Sequence, residues 1–250
     1  MDDLPPPVPA ATLVLMRDVP GGPPELLMME RPGHMAFAAG ALVFPGGRID
    51  AQDRAAAERL GDASEAVAAR IAAVRETIEE TGIAPVPGLT DTQVGIMRTG
   101  LLASRDFAEL LGEMGVALDL DGLVPFARWC PNFRETRRFD ATFFVAEASA
   151  GAGTPSPQPG EVTRAFWASA RDVLAELDSG QAHAIFPTRR NLERLARYAS
   201  FAEARADARR HEVRTITPWV EERDGRPWVC IPDDLGYPVT AELLETARRR

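Results

Sequence analysis

The stretch from Phe44 to Ile83 constrains this chain more than any other, because it places an apolar stripe and three carboxylates on opposite sides of one helix. Val67, Ile71, Val74 and Ile78 recur at steps of four, three and four, the spacing of one helical face. At roughly 100° per residue, Glu76, Glu79 and Glu80 fall on the other side. Gly82 stands where a left-handed residue closes a helix. Three like charges near a helix C-terminus repel one another and face the negative end of the dipole. Two readings follow. The face is a solvated acidic surface, as glutamates commonly form. Alternatively, a divalent cation resolves the conflict, since Mg²⁺ takes hard oxygen ligands and is readily shared between carboxylates and phosphates. Upstream, Phe44-Pro45-Gly46-Gly47-Arg48-Ile49-Asp50 supplies two adjacent glycines. Such a pair lets a backbone turn sharply, approach a ligand and offer a carbonyl to a metal.

Together these segments resemble the Nudix hydrolase signature, which runs Gly, five residues, an acid, seven residues, then Arg-Glu-apolar-x-Glu-Glu-x-Gly-apolar. Gly47, five residues and Asp53 fit the first half, with Asp in place of the usual Glu. Arg75 to Ile83 fit the second, with Thr77 at the usual apolar position. The middle departs from the pattern: residues 54–74 make 21 positions where the family has seven. The resemblance implies an α/β fold, a Nudix-type α/β/α sandwich with a mixed sheet, carrying a helical insertion and C-terminal helical additions. It implies hydrolysis of a nucleoside diphosphate linked to another moiety, using water and Mg²⁺ or Mn²⁺. By the same resemblance, Glu79 and Glu80 are metal ligands, and Glu76 is a ligand or positions the water. A backbone carbonyl of Gly46 or Gly47 joins the metal shell. Arg75, four residues before Glu79, holds the carboxylate array. Asp53 stands where the first acid belongs, and whether it reaches the metals is open because the insertion follows it directly. Some family members draw the general base from a later loop. Glu161 and Glu147 are the candidates here, and each also reads as an ordinary exposed acid.

Composition narrows the setting. The 250 residues are 45% hydrophobic, enough for a sizeable core, and the length exceeds a minimal domain of this kind, so additions to one domain over residues 1–250 are expected. Net charge is −9 and the pI near 5.0, which argues against non-specific nucleic-acid binding. Cys130 and Cys230 have neither paired nor zinc-type spacing, which suits a reducing cytoplasm. Neither a signal peptide nor a membrane-spanning run is visible. No motif encodes the oligomeric state, and a homodimer stays open.

Along the chain, residues 1–9 read as a Pro-rich lead-in. Strands are expected at Ala11–Arg17, Glu25–Glu30, Ala41–Phe44, Gln93–Met97, Leu123–Cys130, Arg138–Ala148 and Arg164–Ala168. The insertion predicts one short helix, a turn near Gly61, and an N-terminal extension of the carboxylate helix capped by Asp62 with Glu65. Ser104 is expected to cap a helix over Arg105–Met114. A further helix is expected over Ala170–Leu177, and the C-terminal extension, 170–250, includes one long helix over Thr188–Arg210 buried through Leu192, Leu195, Tyr198 and Phe201. Asp224-Gly225 signals a hairpin.

The substrate side rests on arginines. Arg134, Arg137 and Arg138 are the densest basic cluster in an acidic chain, and Arg pairs bidentately with phosphate. The segment from Trp129 to Asp140 resembles a substrate-side strand of the family's coenzyme A-cleaving peroxisomal branch, which also has an enlarged box. Surface arginines flanking a strand are the alternative. Phe44 is a further substrate-side candidate, within a Gly40-x-x-x-Phe44-Pro45-Gly46-Gly47 run that matches the tail of a coenzyme A-associated pattern whose upstream Arg is absent here. Coenzyme A or an acyl derivative leads, with ADP-ribose or another nucleotide sugar next. A nucleotide-sensing module without catalysis and a helical interaction scaffold are the readings from other classes.

Overall fold

The computed structural model describes residues 6–35, 38–131, 138–149 and 151–249. In chain order its elements are β1 (Val8–Arg17), β2 (Glu25–Glu30), β3 (Leu42–Val43), β4 (Gly46–Arg48), α1 (Ala51–Arg59), α2 (Glu65–Thr81), α3 (Asp91–Leu102), α4 (Phe107–Met114), β5 (Val124–Trp129), β6 (Phe139–Glu147), β7 (Arg164–Ser169), α5 (Ala170–Asp178), α6 (Phe186–Leu195), α7 (Phe201–Arg210), β8 (Thr215–Ile216), β9 (Trp219–Arg223), β10 (Arg226–Cys230), β11 (Ala241–Leu243) and α8 (Leu244–Arg249).

β1 is the axis of a mixed sheet. It runs parallel to β6 from Val8 opposite Phe139 to Met16 opposite Glu147. On its other edge it changes partner: Met16 and Arg17 pair with β2, whereas Ala10 to Thr12 pair with β4. The handover occurs because the chain returns from β3 through Pro45, whose carbonyl accepts the Leu13 N–H at 2.9 Å. Side-chain alternation along β1 sends Ala11, Leu13 and Leu15 to one face and Val14 and Met16 to the other. The first face is covered by α1 to α4, the second by α5 to α7 and residues 231–237. This is the mixed α/β/α arrangement expected from the sequence.

The insertion forms α1, a turn at Gly61 (φ 85°) and the first turns of α2. Ala56 and Ala57 pack in the same core as Ala68, Ala69 and Ala72, so small side chains let the two helices approach closely. The cap differs from the expectation. Ser64, not Asp62, is the N-cap of α2 and accepts from the Val67 N–H, while Asp62 accepts from the Ser64 N–H.

Three further expectations are corrected. Gln93–Met97 is not a strand: Thr90 and Gln93 form a capping box, and Val94, Met97 and Leu101 are buried at helical spacing. The α4 cap is Asp106, because Ser104 adopts a left-handed φ of 60° that closes α3. The long C-terminal helix is two helices. Ser200 caps α7 by accepting from Glu203, and Asp18 accepts the Phe201 N–H at 2.8 Å, so these side chains start a new helix. Leu192, Leu195, Tyr198 and Phe201 are nonetheless all buried. The Asp224-Gly225 hairpin forms as expected, with φ of 51° and 71°. Among the described residues no helix is long and apolar enough to cross a membrane.

α6 and α7 are joined by a buried ion pair. Asp207 accepts from Arg194 Nε and Nη2 and from the Tyr198 hydroxyl, and Arg194 Nη1 donates to the Phe126 carbonyl of β5. Burial pushes the Asp207 carboxyl up, but the hydrogen bonds from Tyr198 and Arg194 outweigh it and hold it below the usual range. A depressed folded value contributes stability above the unfolded pKa and loses it as pH falls through the folded one. Asp207→Asn is expected to cost about 3–5 kcal/mol at pH 7, since it leaves Arg194 buried without its counter-charge. The reduction in urea midpoint should be full at neutral pH and shrink below about pH 4. A difference that does not vary with pH would contradict this account of the pair.

Candidate active site

β4 and the last two turns of α2 meet where β1 exchanges β2 for β4. α2 is not half-solvated there. Arg75, Thr77, Ile78, Glu80 and Thr81 are all buried, and only Glu76 and Glu79 keep partial exposure. Thr77, at the position where the family has an apolar residue, is fully buried and donates its hydroxyl to the Ala73 carbonyl, which satisfies it within the helix.

Arg75 organises the acids. Its Nε and Nη2 hold Asp53 at 2.8 and 3.0 Å, Nη1 holds Glu76 at 2.9 Å and Glu79 at 3.3 Å, and Nη2 also reaches the Arg48 carbonyl. All five guanidinium donors are therefore used. Asp53 is fully buried; its two oxygens are taken by Arg75 and by the Asp50 N–H, which caps α1. Asp53 therefore spends its oxygens on Arg75 and the start of α1.

The two glycines are sterically required for different reasons. A Cβ on Gly46 would lie 2.4 Å from the Ala11 carbonyl oxygen, against fixed backbone. A Cβ on Gly47 would lie 2.3 Å from the Glu76 carboxyl group, so Gly47 and Glu76 face each other directly. The Gly46 N–H donates to Glu80 Oε2 at 2.9 Å.

Electrostatics records the crowding. Burial raises the Glu76 carboxyl to about 7 against the opposing pull of Arg75. Burial raises Glu80 well above the usual range, with Glu76 adding to it, and burial also raises Glu79. Among the described residues no three acidic, His or Cys side chains are already gathered into a ready cation shell. Glu76 and Glu79 lean on Arg75, and Glu80 on Gly46. The donor set nevertheless fits a hard divalent cation. It is all oxygen, it is short of positive charge, and Glu76 with Gly47 presents a carboxylate against a backbone with no intervening side chain.

The C-terminal carbonyls of α2 are capped by residues that no local sequence signal marks. Gly82 adopts the expected left-handed φ of 67°. Arg98 on α3 donates to the Glu79 and Ser156 carbonyls. The backbone N–H groups of Ser156 and Gln158 donate to the Thr81 and Glu80 carbonyls. These bonds dock the 151–163 loop on the site. Glu161 on that loop is exposed, and its charge raises both Glu79 and Glu80. Arg98 was hidden by the expectation of a strand at 93–97; the Thr90/Gln93 box is the signal that reveals its helix.

Other sequence candidates fall elsewhere. Glu147 lies at the far end of β6, five residues or about 16 Å beyond Thr142, which is level with Gly47 across β1. It lines a cavity of about 170 Å³ with Asp119, Asp121, Arg205 and Arg209, so it is not a base for this site. Phe44 does not face substrate. It is 3% exposed and packs edge-to-face on Phe143 in the core. Arg134 and Arg137 lie outside the described residues. Arg138 is partly buried at the start of β6, on the same end of the sheet as Gly47, and its buried Nε has no acceptor among the described residues.

No family model matches the chain. The human protein "Acyl-coenzyme A diphosphatase NUDT19" is 27% identical, over 72% of this chain and 62% of its own length, so this chain spans less than two thirds of that curated relative. The crystal structure of a NUDIX hydrolase from Alicyclobacillus acidocaldarius superposes with a TM-score of 0.71 at 28% identity, covering 82% of this chain and 97% of that one. The box residues assembled as described and these two likenesses support a place in the Nudix hydrolase superfamily.

Gly46→Ala and Gly47→Ala are expected to separate fold from site. The first forces backbone apart and should destabilise by about 3 kcal/mol or more. The second displaces the end of a flexible side chain, so its Tm should stay within a few degrees while Mn²⁺ affinity, measured by calorimetry, drops about tenfold or more. Equal effects of the two substitutions on both quantities would contradict this division.

Proposed function

We propose that the chain is a metal-dependent diphosphate hydrolase acting on nucleoside diphosphate derivatives. The observation that carries this reading is the set of Glu76, Glu79 and Glu80 crowded at one helix end, the first two held by a fully engaged Arg75 and the third by the Gly46 N–H. A non-catalytic nucleotide sensor has no need of three such acids. Mg²⁺ or Mn²⁺, when bound, neutralises charge and acidifies water. Glu76, Glu79, Glu80 and the Gly47 carbonyl are its ligands in this reading, and Arg75 keeps the Glu76 and Glu79 carboxylates in register. Glu161, exposed and beside them, accepts the proton of the attacking water.

Coenzyme A or an acyl derivative is the preferred substrate. Support comes from the human relative's name, from the helical insertion in the box, and from Arg138, whose buried Nε has no acceptor among the described residues. Coenzyme A carries a 3′-phosphate beyond its diphosphate and so needs positive charge away from the metals. The cysteines are free and buried, which suits a reducing compartment such as the cytoplasm.

The test is turnover of coenzyme A with Mg²⁺ or Mn²⁺, read by mass spectrometry as 3′,5′-ADP and 4′-phosphopantetheine. Glu79→Gln and Glu80→Gln should each lower kcat at least about a hundredfold with the fold intact, because the stabilisation of developing charge is lost. Folded Gln variants with wild-type turnover would sink the metal-ligand assignment. Brisk cleavage of ADP-ribose with none of coenzyme A would overturn the substrate.

A further inference from the structure

The loop over residues 151–163 carries Glu161, and its two ends are tied to the sheet. Arg17 Nη1 donates to the Ala152 carbonyl at 3.4 Å and Trp167 Nε1 to the Gly153 carbonyl at 3.1 Å, while the Thr163 N–H donates to the Glu30 carbonyl at 2.8 Å. The middle of the loop is tied instead to the end of α2. The Ser156 N–H donates to the Thr81 carbonyl at 2.8 Å, and the Gln158 N–H to the Glu80 carbonyl at 3.0 Å. Gln158 then turns the chain back, because its carbonyl accepts from the N–H groups of Glu161 and Val162 at 3.3 and 3.0 Å. The main chains of Glu80 and Glu161 are thus joined through one residue. Arg98 completes the junction from α3. Its Nε donates to the Glu79 carbonyl at 2.9 Å and its Nη2 to the Ser156 carbonyl at 2.7 Å. Two donors of one planar guanidinium span the helix end and the loop, so a rigid fork sets the gap between them. Arg98 pairs with no carboxylate among the described residues, although three glutamates stand nearby; its charge meets the negative end of the α2 dipole. Gly82 leaves it room, since a Cβ there would lie 3.0 Å from Arg98 Nη1.

We propose that Arg98 is a positioning residue for Glu161: by bridging the Glu79 and Ser156 carbonyls it fixes the loop, and so the Glu161 carboxylate, against the glutamates of α2. The inference rests on the diphosphatase reading with Glu161 as its base, and adds a residue that belongs neither to the box nor to the loop. A proton acceptor works only within hydrogen-bond reach of the water it serves, and a misplacement of about 1 Å can cost about a hundredfold in rate. The Glu161 side chain is exposed and has no hydrogen-bond partner among the described residues, so its place follows from the backbone beneath it. That backbone is held where Arg98 acts. Because Arg17, Trp167 and Glu30 hold the loop ends separately, loss of Arg98 loosens the middle of the loop and leaves the fold standing.

The experiment is a double-mutant cycle of Arg98→Ala and Glu161→Gln in the full chain, with coenzyme A and, in parallel, ADP-ribose at saturating Mg²⁺. Glu161→Gln is expected to lower kcat about a hundredfold or more, the ordinary weight of a general base. Arg98→Ala is expected to lower kcat about tenfold with KM changed less than about threefold, since a displaced base affects the chemical step and not binding. In the Glu161→Gln background the same substitution should cost less than about twofold, because no base is left to position. Arg98→Lys, which keeps the charge without the planar fork, should fall between Ala and the wild type. Amide exchange gives a readout independent of substrate: the Ser156 and Gln158 N–H groups should exchange about tenfold faster in Arg98→Ala, and that of Thr163 at its wild-type rate. An additive cycle, in which Arg98→Ala costs as much without Glu161 as with it, overturns the proposal and makes Arg98 a support of α2. So does wild-type kcat or wild-type exchange in a folded Arg98→Ala or Arg98→Lys protein. Wild-type turnover by Glu161→Gln overturns the base and the proposal with it, and leaves the diphosphatase reading standing. A wild-type chain that cleaves neither substrate overturns both.

Discussion

The ion pair between Asp53 and Arg75 is the contact on which the rest of the site depends. It is almost wholly buried, and it ties together three elements of the fold. Asp53 belongs to α1 and caps it through the Asp50 N–H; Arg75 belongs to α2; the Arg48 carbonyl that completes the guanidinium's shell belongs to β4. Burying such a pair is not by itself a source of stability, because desolvation offsets much of the attraction. Its effect is geometric. With one edge of Arg75 fixed by Asp53, the opposite nitrogen can only point at Glu76 and Glu79, which sets where those carboxylates start from.

The same region carries electrostatic tension that the fold tolerates. Three glutamates at a helix C-terminus meet the wrong end of the dipole. Arg98 and the N–H groups of Ser156 and Gln158 satisfy the last carbonyls of α2 from outside the box. The carboxyls of Glu76, Glu79 and Glu80 remain raised by burial. A sheet edge at which β1 changes partners provides the opening, and two glycines let backbone replace side chain there. Stability comes from elsewhere, from the cores on both faces of the sheet and the Arg194–Asp207 link between α6 and α7.

Periodicity made much of this legible. The α2 stripe, the Gly82 cap, the β1–β2 pair and the Asp224-Gly225 turn all follow from local rules acting within a few residues. Legibility failed where partners came from far along the chain. Ser200 starts a new helix with help from Asp18, distant in sequence, so the 188–210 stripe read as continuous. Phe44 looked like a ligand contact because it abuts the glycines, but strand alternation turns it onto Phe143. Glu147 and Glu161 read alike as acids near a strand end or loop; the β1–β6 register puts Glu147 at the far end of the sheet, whereas the bonds of Ser156 and Gln158 to α2 bring the loop of Glu161 to the carboxylates.

The central claim is that Glu76, Glu79 and Glu80 form a cation site held open by Asp53 and Arg75. Thermal unfolding with and without Mn²⁺ tests it most directly. At a hundredfold excess over Kd, binding to the folded state alone adds about 2.7 kcal/mol, or about 5–10 °C for a chain of this size. The account predicts that shift for the wild type and its loss in a Glu79→Gln/Glu80→Gln double variant, whose metal-free Tm should equal or exceed the wild type's because repulsion is relieved. A wild-type Tm unmoved by millimolar Mn²⁺, or an equal shift in the double variant, would contradict it.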